Sequence, residues 1–276
     1  MPVRVFSSRD RGEAYRVGRS FLEADPLRNC VVMEILCQPQ PSGDGGQFWW
    51  VDDGTRVCGL VAQHSPESMA LVSPMDKEAV DAAAAAIAES GVDLPGVSAD
   101  AATAALFAGK WTERTNGAAV PCFAQRICAA EALLPPQPAE GRLRRAVDTD
   151  ADELIGWLDE FGAETGDPVP DSDWLIRQRL SEHELWIWDC GRSVSMAART
   201  PAVAGISRVQ AVFTPRQHRG QRFAANVVAA ITTAILDDGL RPMLYTDLAN
   251  STSNMLYRSL GYRAVEEVTR YRFSHP

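Results

Sequence analysis

The sequence predicts an α/β protein of two domains, and three observations carry that expectation. At 276 residues the chain exceeds the usual size of one domain. The segment Leu133-Leu-Pro-Pro-Gln-Pro-Ala-Glu-Gly141 gathers three prolines, a glycine and polar residues into a linker. Helical and strand periodicities alternate on both sides of it, in a similar order. The expected division is therefore 1–132, a linker 133–141, and 142–276.

In the first half, helices are expected over Ser8–Glu23, Leu27–Cys37, Asp76–Glu89 and Asp100–Lys110. Strands fit Phe48–Val51, Arg56–Gln63, Met69–Ser73 and Ala119–Ile127. The alanine tract Ala82–Ala86 belongs to a packed helix rather than a disordered run, because alanine has the highest helix propensity.

Past the linker, Leu143–Val147 reads as a strand, and Thr149 then caps a helix whose Leu154, Trp157, Leu158 and Phe161 share one face. A short helix around Trp174 to Leu180 and three strands at Leu185–Asp189, Ser193–Thr200 and Ser207–Phe213 follow. A long helix runs from Gln221 to Asp238 with Gly239 as its stop, then come a buried strand Met243–Thr246, a helix Asn250–Leu260 ended by Gly261, and a last strand Arg263–Phe273. Helix, helix, three strands and helix thus occur twice, which suggests a diverged duplication.

Composition sets limits. Hydrophobic residues at 46% and charged residues at 23% are ordinary globular values. A formal charge of −9 works against nucleic-acid binding, so any cationic site must be local. With Lys77 and Lys110 the only two lysines, arginine supplies almost all positive charge, which favours bidentate anion contacts. The start lacks the apolar run of about 7 to 15 residues of a secretory signal, and nothing approaches the roughly 18 of a membrane span, so a soluble cytoplasmic protein is expected. Six scattered cysteines without C-x-x-C read as reduced core thiols, and four histidines offer no metal cluster.

The most informative stretch is Val209-Gln-Ala-Val-Phe-Thr-Pro-Arg-Gln-His-Arg-Gly-Gln-Arg-Phe-Ala224, a buried strand running through a basic loop into a helix. The free N–H groups and dipole at that helix start form a ready diphosphate site, reinforced by Arg216, Arg219 and Arg222. The stretch resembles the coenzyme A signature of the GNAT acetyltransferases, [Q/R]-x-x-G-x-[G/A], with Arg219 at the first position, Ala224 at the last, and Arg222 where a glycine is usual. A second stretch, Asn250-Ser-Thr-Ser-Asn-Met-Leu-Tyr-Arg-Ser-Leu-Gly-Tyr262, is similar to that family's N-x-x-[S/A]-x-x-x-Y-x-x-x-G-[F/Y] segment. Seven residues separate Asn250 from Tyr257, so the two share a helix face with Ser253 and Asn254.

The resemblance implies two GNAT-like domains, each a mixed, mostly antiparallel sheet flanked by helices. It also implies an N-acyltransferase that moves an acetyl or similar group from acetyl-CoA to a primary amine by direct attack, without a metal. Cofactor contacts would come from Val212, Phe213 and Thr214 on the strand, from Arg219, Gly220, Gln221, Arg222, Phe223, Ala224 and Ala225 at the helix start, and from Asn250. A backbone N–H around Val212 to Thr214 would polarise the carbonyl, and Tyr257 would give a proton to the departing sulfur, since a thiolate leaves cleanly only beside a proton source.

For the base, Gln210 and Tyr245 on the central strands are unsuited at neutral pH. Glu164, with Glu160 and Asp167 beside it, is placed to orient or deprotonate the acceptor, and Asp247 is a further candidate. In the first half, Pro74-Met-Asp-Lys-Glu-Ala-Val80 stands where a phosphate loop would be, and its acids repel a diphosphate. That half resembles the degenerate amino-terminal domains of tandem acetyltransferases in element order and in Val57-Cys-Gly-Leu-Val-Ala62. The expected partner is an amine, either a small molecule or a protein lysine, with no nucleic acid and no membrane, on a monomer or homodimer. The alternative is a non-catalytic acyl-CoA-binding regulatory or scaffold protein.

Overall fold

The computed structural model describes residues 3–38, 45–166, 169 and 171–274. The first run of elements is β1 (Arg4–Ser8), α1 (Arg11–Leu22), α2 (Pro26–Cys37), β2 (Gln47–Asp52), β3 (Val57–Gln63), β4 (Ala70–Val72), α3 (Lys77–Glu89), β5 (Gly96–Asp100), α4 (Ala101–Thr115) and β6 (Ala118–Ala129). The second repeats that order: β7 (Arg142–Arg145), α5 (Ala151–Thr165), α6 (Ser172–Ser181), β8 (Leu185–Asp189), β9 (Ser193–Arg199), β10 (Ile206–Phe213), α7 (Phe223–Asp237), β11 (Arg241–Asp247), α8 (Ser251–Ser259) and β12 (Arg263–Ser274).

Two compact units result, one of Met1–Ile127 with Thr246–Ala249 and Ala264–Pro276, the other of Cys128–Tyr245 with Asn250–Arg263. The division falls just ahead of the proline-rich segment, and the last strand does not stay with the second half. β12 lies antiparallel to β5, with Val268 opposite Asp100 and Arg272 opposite Gly96, and so covers a backbone edge that would otherwise stand open in the first unit.

In the first unit the strand order is β1-β2-β3-β4-β5-β12-β6, with β1–β2, β2–β3, β3–β4 and β5–β12 antiparallel and β4–β5 parallel. Its core sets Trp49, Val61 and Val97 from the sheet against Ala83, Ala84 and Ile87 of α3 and Phe107 and Trp111 of α4. The alanine tract is the helix its composition suggests, and its small side chains let α3 pack closely. β1 and β5 escape sequence reading: each has five residues, and β5 (Gly-Val-Ser-Ala-Asp) carries a single branched apolar side chain. α4 runs past Lys110 to Thr115 and stops where Asn116 turns left-handed at φ 55°.

In the second unit the order is β11-β10-β9-β8-β7, with β10–β11 the parallel pair. One face packs Val209, Leu244 and Trp186 against Val227, Ile231 and Ile235 of α7, Tyr257 of α8 and Leu260 just past its end. The other packs Ile187, Met196 and Phe213 against Leu154 and Leu158 of α5 and Ile176 of α6. The start of α5 differs from expectation: a 3-10 turn over Asp148–Asp150 precedes it, and Asp150, not Thr149, stands at the N-cap without a side-chain cap hydrogen bond, its carboxylate accepting the Val147 N–H at 2.8 Å and holding Arg144 at 2.7 Å. The cysteines are all free, but Cys37 and Cys122 are exposed, so not all six are core thiols.

Candidate active site in the second unit

β10 and β11 pair over only three positions, from Ile206 opposite Arg241 to Arg208 opposite Met243. Beyond them β10 is bent by a bulge: Gln210 faces Ala198 and Phe213 faces Met196, so three steps on β10 match two on β9. Ala211 takes the left-handed conformation at φ 51° to absorb the extra residue. Side chains sort accordingly, with Val209 and Val212 joining the α7–α8 face and Ala211 and Phe213 the α5–α6 face.

The far end of the bulge is fixed by a residue that sequence reading overlooked. Ser195, fully buried on β9, donates to the Phe213 carbonyl at 3.0 Å and shares a 2.8 Å hydrogen bond with Thr214 Oγ1. No spacing signal marks it, because a serine inside a strand is usually a packing residue. Gln210, on β10, has a buried amide nitrogen with no partner among the described residues.

From Thr214 the chain makes a short 3-10 turn at Arg216–His218, passes Gly220 at φ 78°, and enters α7 at Phe223, two residues later than expected. The delay has a local cause. Arg222 is the N-cap residue, held left-handed at φ 67°, and its side chain makes no cap hydrogen bond. The position where the coenzyme A signature usually has glycine thus has the backbone shape that glycine favours, with arginine occupying it at a steric cost. Among the described residues none accepts from the N–H groups of Gly220, Gln221 and Arg222, and no cap side chain covers Phe223, Ala224 and Ala225. A Cβ added at Gly220 would meet no atom within 4 Å, so the approach to these amides is open.

The arginines divide. Arg222 is exposed and its guanidinium makes no hydrogen bond or ion pair among the described residues, so it does not plug the amide cradle. Arg216 Nε and Arg219 Nη2 both hold Glu164, at 2.7 and 2.6 Å, and Arg219 Nε also donates to the Thr214 carbonyl at 2.9 Å. Glu164 is therefore brought to the loop rather than left facing open space. Burial pushes its carboxyl upward, but the hydrogen bonds from the two guanidiniums outweigh that and leave it below the usual carboxylate range. A carboxylate so placed is a poor proton acceptor while the pairs last. Glu160 is exposed, Asp167 lies outside the described residues, and Asp247 accepts the Ala249 N–H at 2.8 Å as part of the first unit. His218, which a basic loop suggests as surface, is buried.

Asn250 caps α8, its side chain accepting the Ser253 N–H at 3.0 Å, while Asn254 Nδ2 returns to the Asn250 carbonyl at 2.8 Å. Two turns on, Tyr257 lies buried in the cluster that includes Val209 of β10 and Leu244 of β11, the residues just past the paired segment. Tyr262 meets it edge-on, ring centroids 6.0 Å apart, and is itself anchored by a 2.7 Å hydrogen bond to Thr232 on α7. The Tyr257 hydroxyl has no hydrogen-bond partner among the described residues. Burial, then Tyr262 and Cys128, raise its pKa well above the usual phenol value, so it keeps its proton.

A strand that parts from its parallel neighbour, a helix start with unfilled amides and a buried phenol thus all belong to the second unit. The whole chain aligns with solved GNAT structures. A GCN5-related N-acetyltransferase from Sphaerobacter thermophilus superposes with a TM-score of 0.63 at 15% identity over 100% of this chain and 96% of that one. A GNAT-family acetyltransferase from Colwellia psychrerythraea gives 0.59 at 10% identity over 99% and 100%. A tandem GNAT protein from the clavulanic acid biosynthesis pathway gives 0.57 at 13% identity over 99% of each. Residues 191–272 match the family model described as FR47-like protein. The chain is thus a protein of the GNAT fold in its tandem form. No curated protein matches the sequence. Among the described residues no group of His, Cys, Asp and Glu is arranged to hold a metal, and no helix is long and apolar enough to cross a membrane.

Proposed function

We propose that the second unit is an N-acyltransferase that uses acetyl-CoA, or a related thioester, to acylate an amine. The observation that carries this reading is the open run of N–H groups from Gly220 to Ala225 at the head of α7, on a strand whose bulge and Tyr257 serve the same end of the unit. Such amides, aligned with the helix dipole, suit a diphosphate, and Arg216 and Arg219 add charge that a protein of net charge −9 otherwise lacks. The donor supplies an activated carbonyl on a sulfur leaving group.

This chain's residues then have three tasks. Backbone N–H groups in the stretch Val212 to Thr214, at the bulge whose far end Ser195 braces, polarise the acyl oxygen. Tyr257 passes its proton to the sulfur as the C–S bond breaks and regains one from solvent. Glu164 is the resident counter-ion of the cofactor arginines. When a diphosphate draws Arg216 and Arg219 away, its carboxylate is left to hold the acceptor's ammonium, and the amine loses its proton to water through that contact. Asn250 acts through α8, whose start it caps, and so positions Tyr257 rather than contacting the donor.

Thiol release from acetyl-CoA with a panel of small amines and lysine peptides tests the proposal. Acetyl-CoA binding without amine-dependent thiol release identifies a non-catalytic acyl-CoA binder instead, and no binding at all refutes both readings.

A further inference from the structure

The first unit has a half-open cleft of about 680 Å³, within the size range of small-molecule sites. Val17 and Phe21 of α1 and Val57 and Cys58 of β3 give it apolar walls, and Asp25, Asn29 and Asp76 line it with oxygens. In chain order it adjoins the strand-loop-helix step that in the second unit carries the open amides. Here that step is closed to anions, because the Asp76 carboxylate already accepts the Ala79 N–H at 2.8 Å. A diphosphate would meet a filled helix start and a negative charge.

Asn29 is the unusual wall residue. It is only 2% exposed, its Nδ2 donates to the Leu22 carbonyl at 3.3 Å, and its Oδ1 has no partner among the described residues. A buried acceptor without a donor is unfavourable, and a ligand that brings a donor removes the penalty. The surrounding charge favours a cationic donor. At Cys58 the thiol is pushed up first by burial and then by the carboxylates of Asp53, Asp76 and Asp52, which reports a negative field at this wall. Of the guanidiniums, Arg28 is shared between Asp25 at 3.5 Å and Glu266 at 2.9 Å, and Arg56, which also lines the cavity, stands 3.9 Å from Asp53 with its side chain in solvent, so the lining sets the carboxylates of Asp25 and Asp76 against one guanidinium.

We propose that this cavity binds an organic ammonium carried on an apolar body. The ammonium donates to Asn29 Oδ1 in the field of Asp25 and Asp76, the apolar part lies on Phe21 and Val57, and acyl-CoA is excluded. All of these residues lie in the first unit, so the site stands independently of the acyl-transfer reading.

Cys58 gives the assay. The full chain is treated with N-ethylmaleimide and alkylation is followed residue by residue by mass spectrometry, with exposed Cys122 as the internal reference. Phenethylammonium, to about 10 mM, is expected to slow Cys58 labelling by roughly threefold or more relative to Cys122. The neutral isostere 2-phenylethanol and acetyl-CoA are expected to leave it unchanged. Asp76→Asn retains a good N-cap residue while removing the charge, and is expected to abolish most of the protection without loss of fold. The proposal is overturned if phenethylammonium gives no protection, if the alcohol protects equally, if acetyl-CoA protects Cys58, or if Asp76→Asn protects as well as the parent chain.

Discussion

Tyr257→Phe separates catalysis from architecture more cleanly than any other substitution here, because the ring is structural and the hydroxyl is not. The ring fills the cluster with Val209, Leu244 and Tyr262, and phenylalanine replaces it without a cavity. The hydroxyl makes no hydrogen bond among the described residues, so its removal leaves no partner stranded, and stability is expected to change by less than about 1 kcal/mol. Loss of a general acid, by contrast, typically lowers the rate by about 10² to 10⁴-fold. The two numbers come from separate assays: urea unfolding for the first, single-turnover thiol release for the second. A variant that is stable and turns over at the parent rate removes Tyr257 from the mechanism. One that loses several kcal/mol shows instead that the hydroxyl has a structural partner. The pH dependence gives a third readout. Folding raises the pKa of both Tyr257 and Tyr262 by burial, so their contribution is complete below the unfolded value of about 10 and is lost as pH climbs beyond it, when the unfolded chain ionises first. Tyr257→Phe should flatten that alkaline loss.

The remaining predictions bear on the loop and its supports. Glu164→Gln removes the carboxylate that occupies Arg216 and Arg219, so calorimetry should show acetyl-CoA binding up to about fivefold tighter while turnover of cationic amines falls; weaker binding would mean that Glu164 pre-organises the loop instead. Arg222→Gly and Arg222→Ala both delete the guanidinium, but only glycine suits φ 67°. The glycine variant should therefore be the more stable by about 1 kcal/mol in urea unfolding, and equal stabilities would mean that the left-handed cap is absent in solution. Thr232→Val strands the Tyr262 hydroxyl in the core and should cost about 1 to 3 kcal/mol; a neutral result would show that water replaces the lost partner.

Much of the second unit was legible because its signals are local. A strand that runs into a Gly- and Arg-bearing loop and then a helix, and the spacing from Asn250 through Tyr257 to Gly261, need only neighbouring residues to be read. The overlooked features depend on residues distant in sequence. Ser195 matters because it reaches Phe213 across the sheet, and Glu164, legible as an acceptor-side acid, gave no sign of its pairing with two guanidiniums about fifty positions away. β12 alternates well enough to be read as a strand, yet nothing in its own sequence says that its neighbour is β5. The left-handed conformations of Ala211 and Arg222 were hidden for a related reason: neither residue type advertises positive φ, and the surrounding fold imposes it.

The central claim is that a diphosphate is held by the amides leading into α7, and hydrogen exchange measures those amides directly. With saturating acetyl-CoA, the peptide covering Gly220 to Ala225 should become protected while the helix start at Asp76 to Ala79 in the first unit stays unchanged. Protection confined to the first unit, or none at residues 220 to 225 despite measurable binding, would contradict the account.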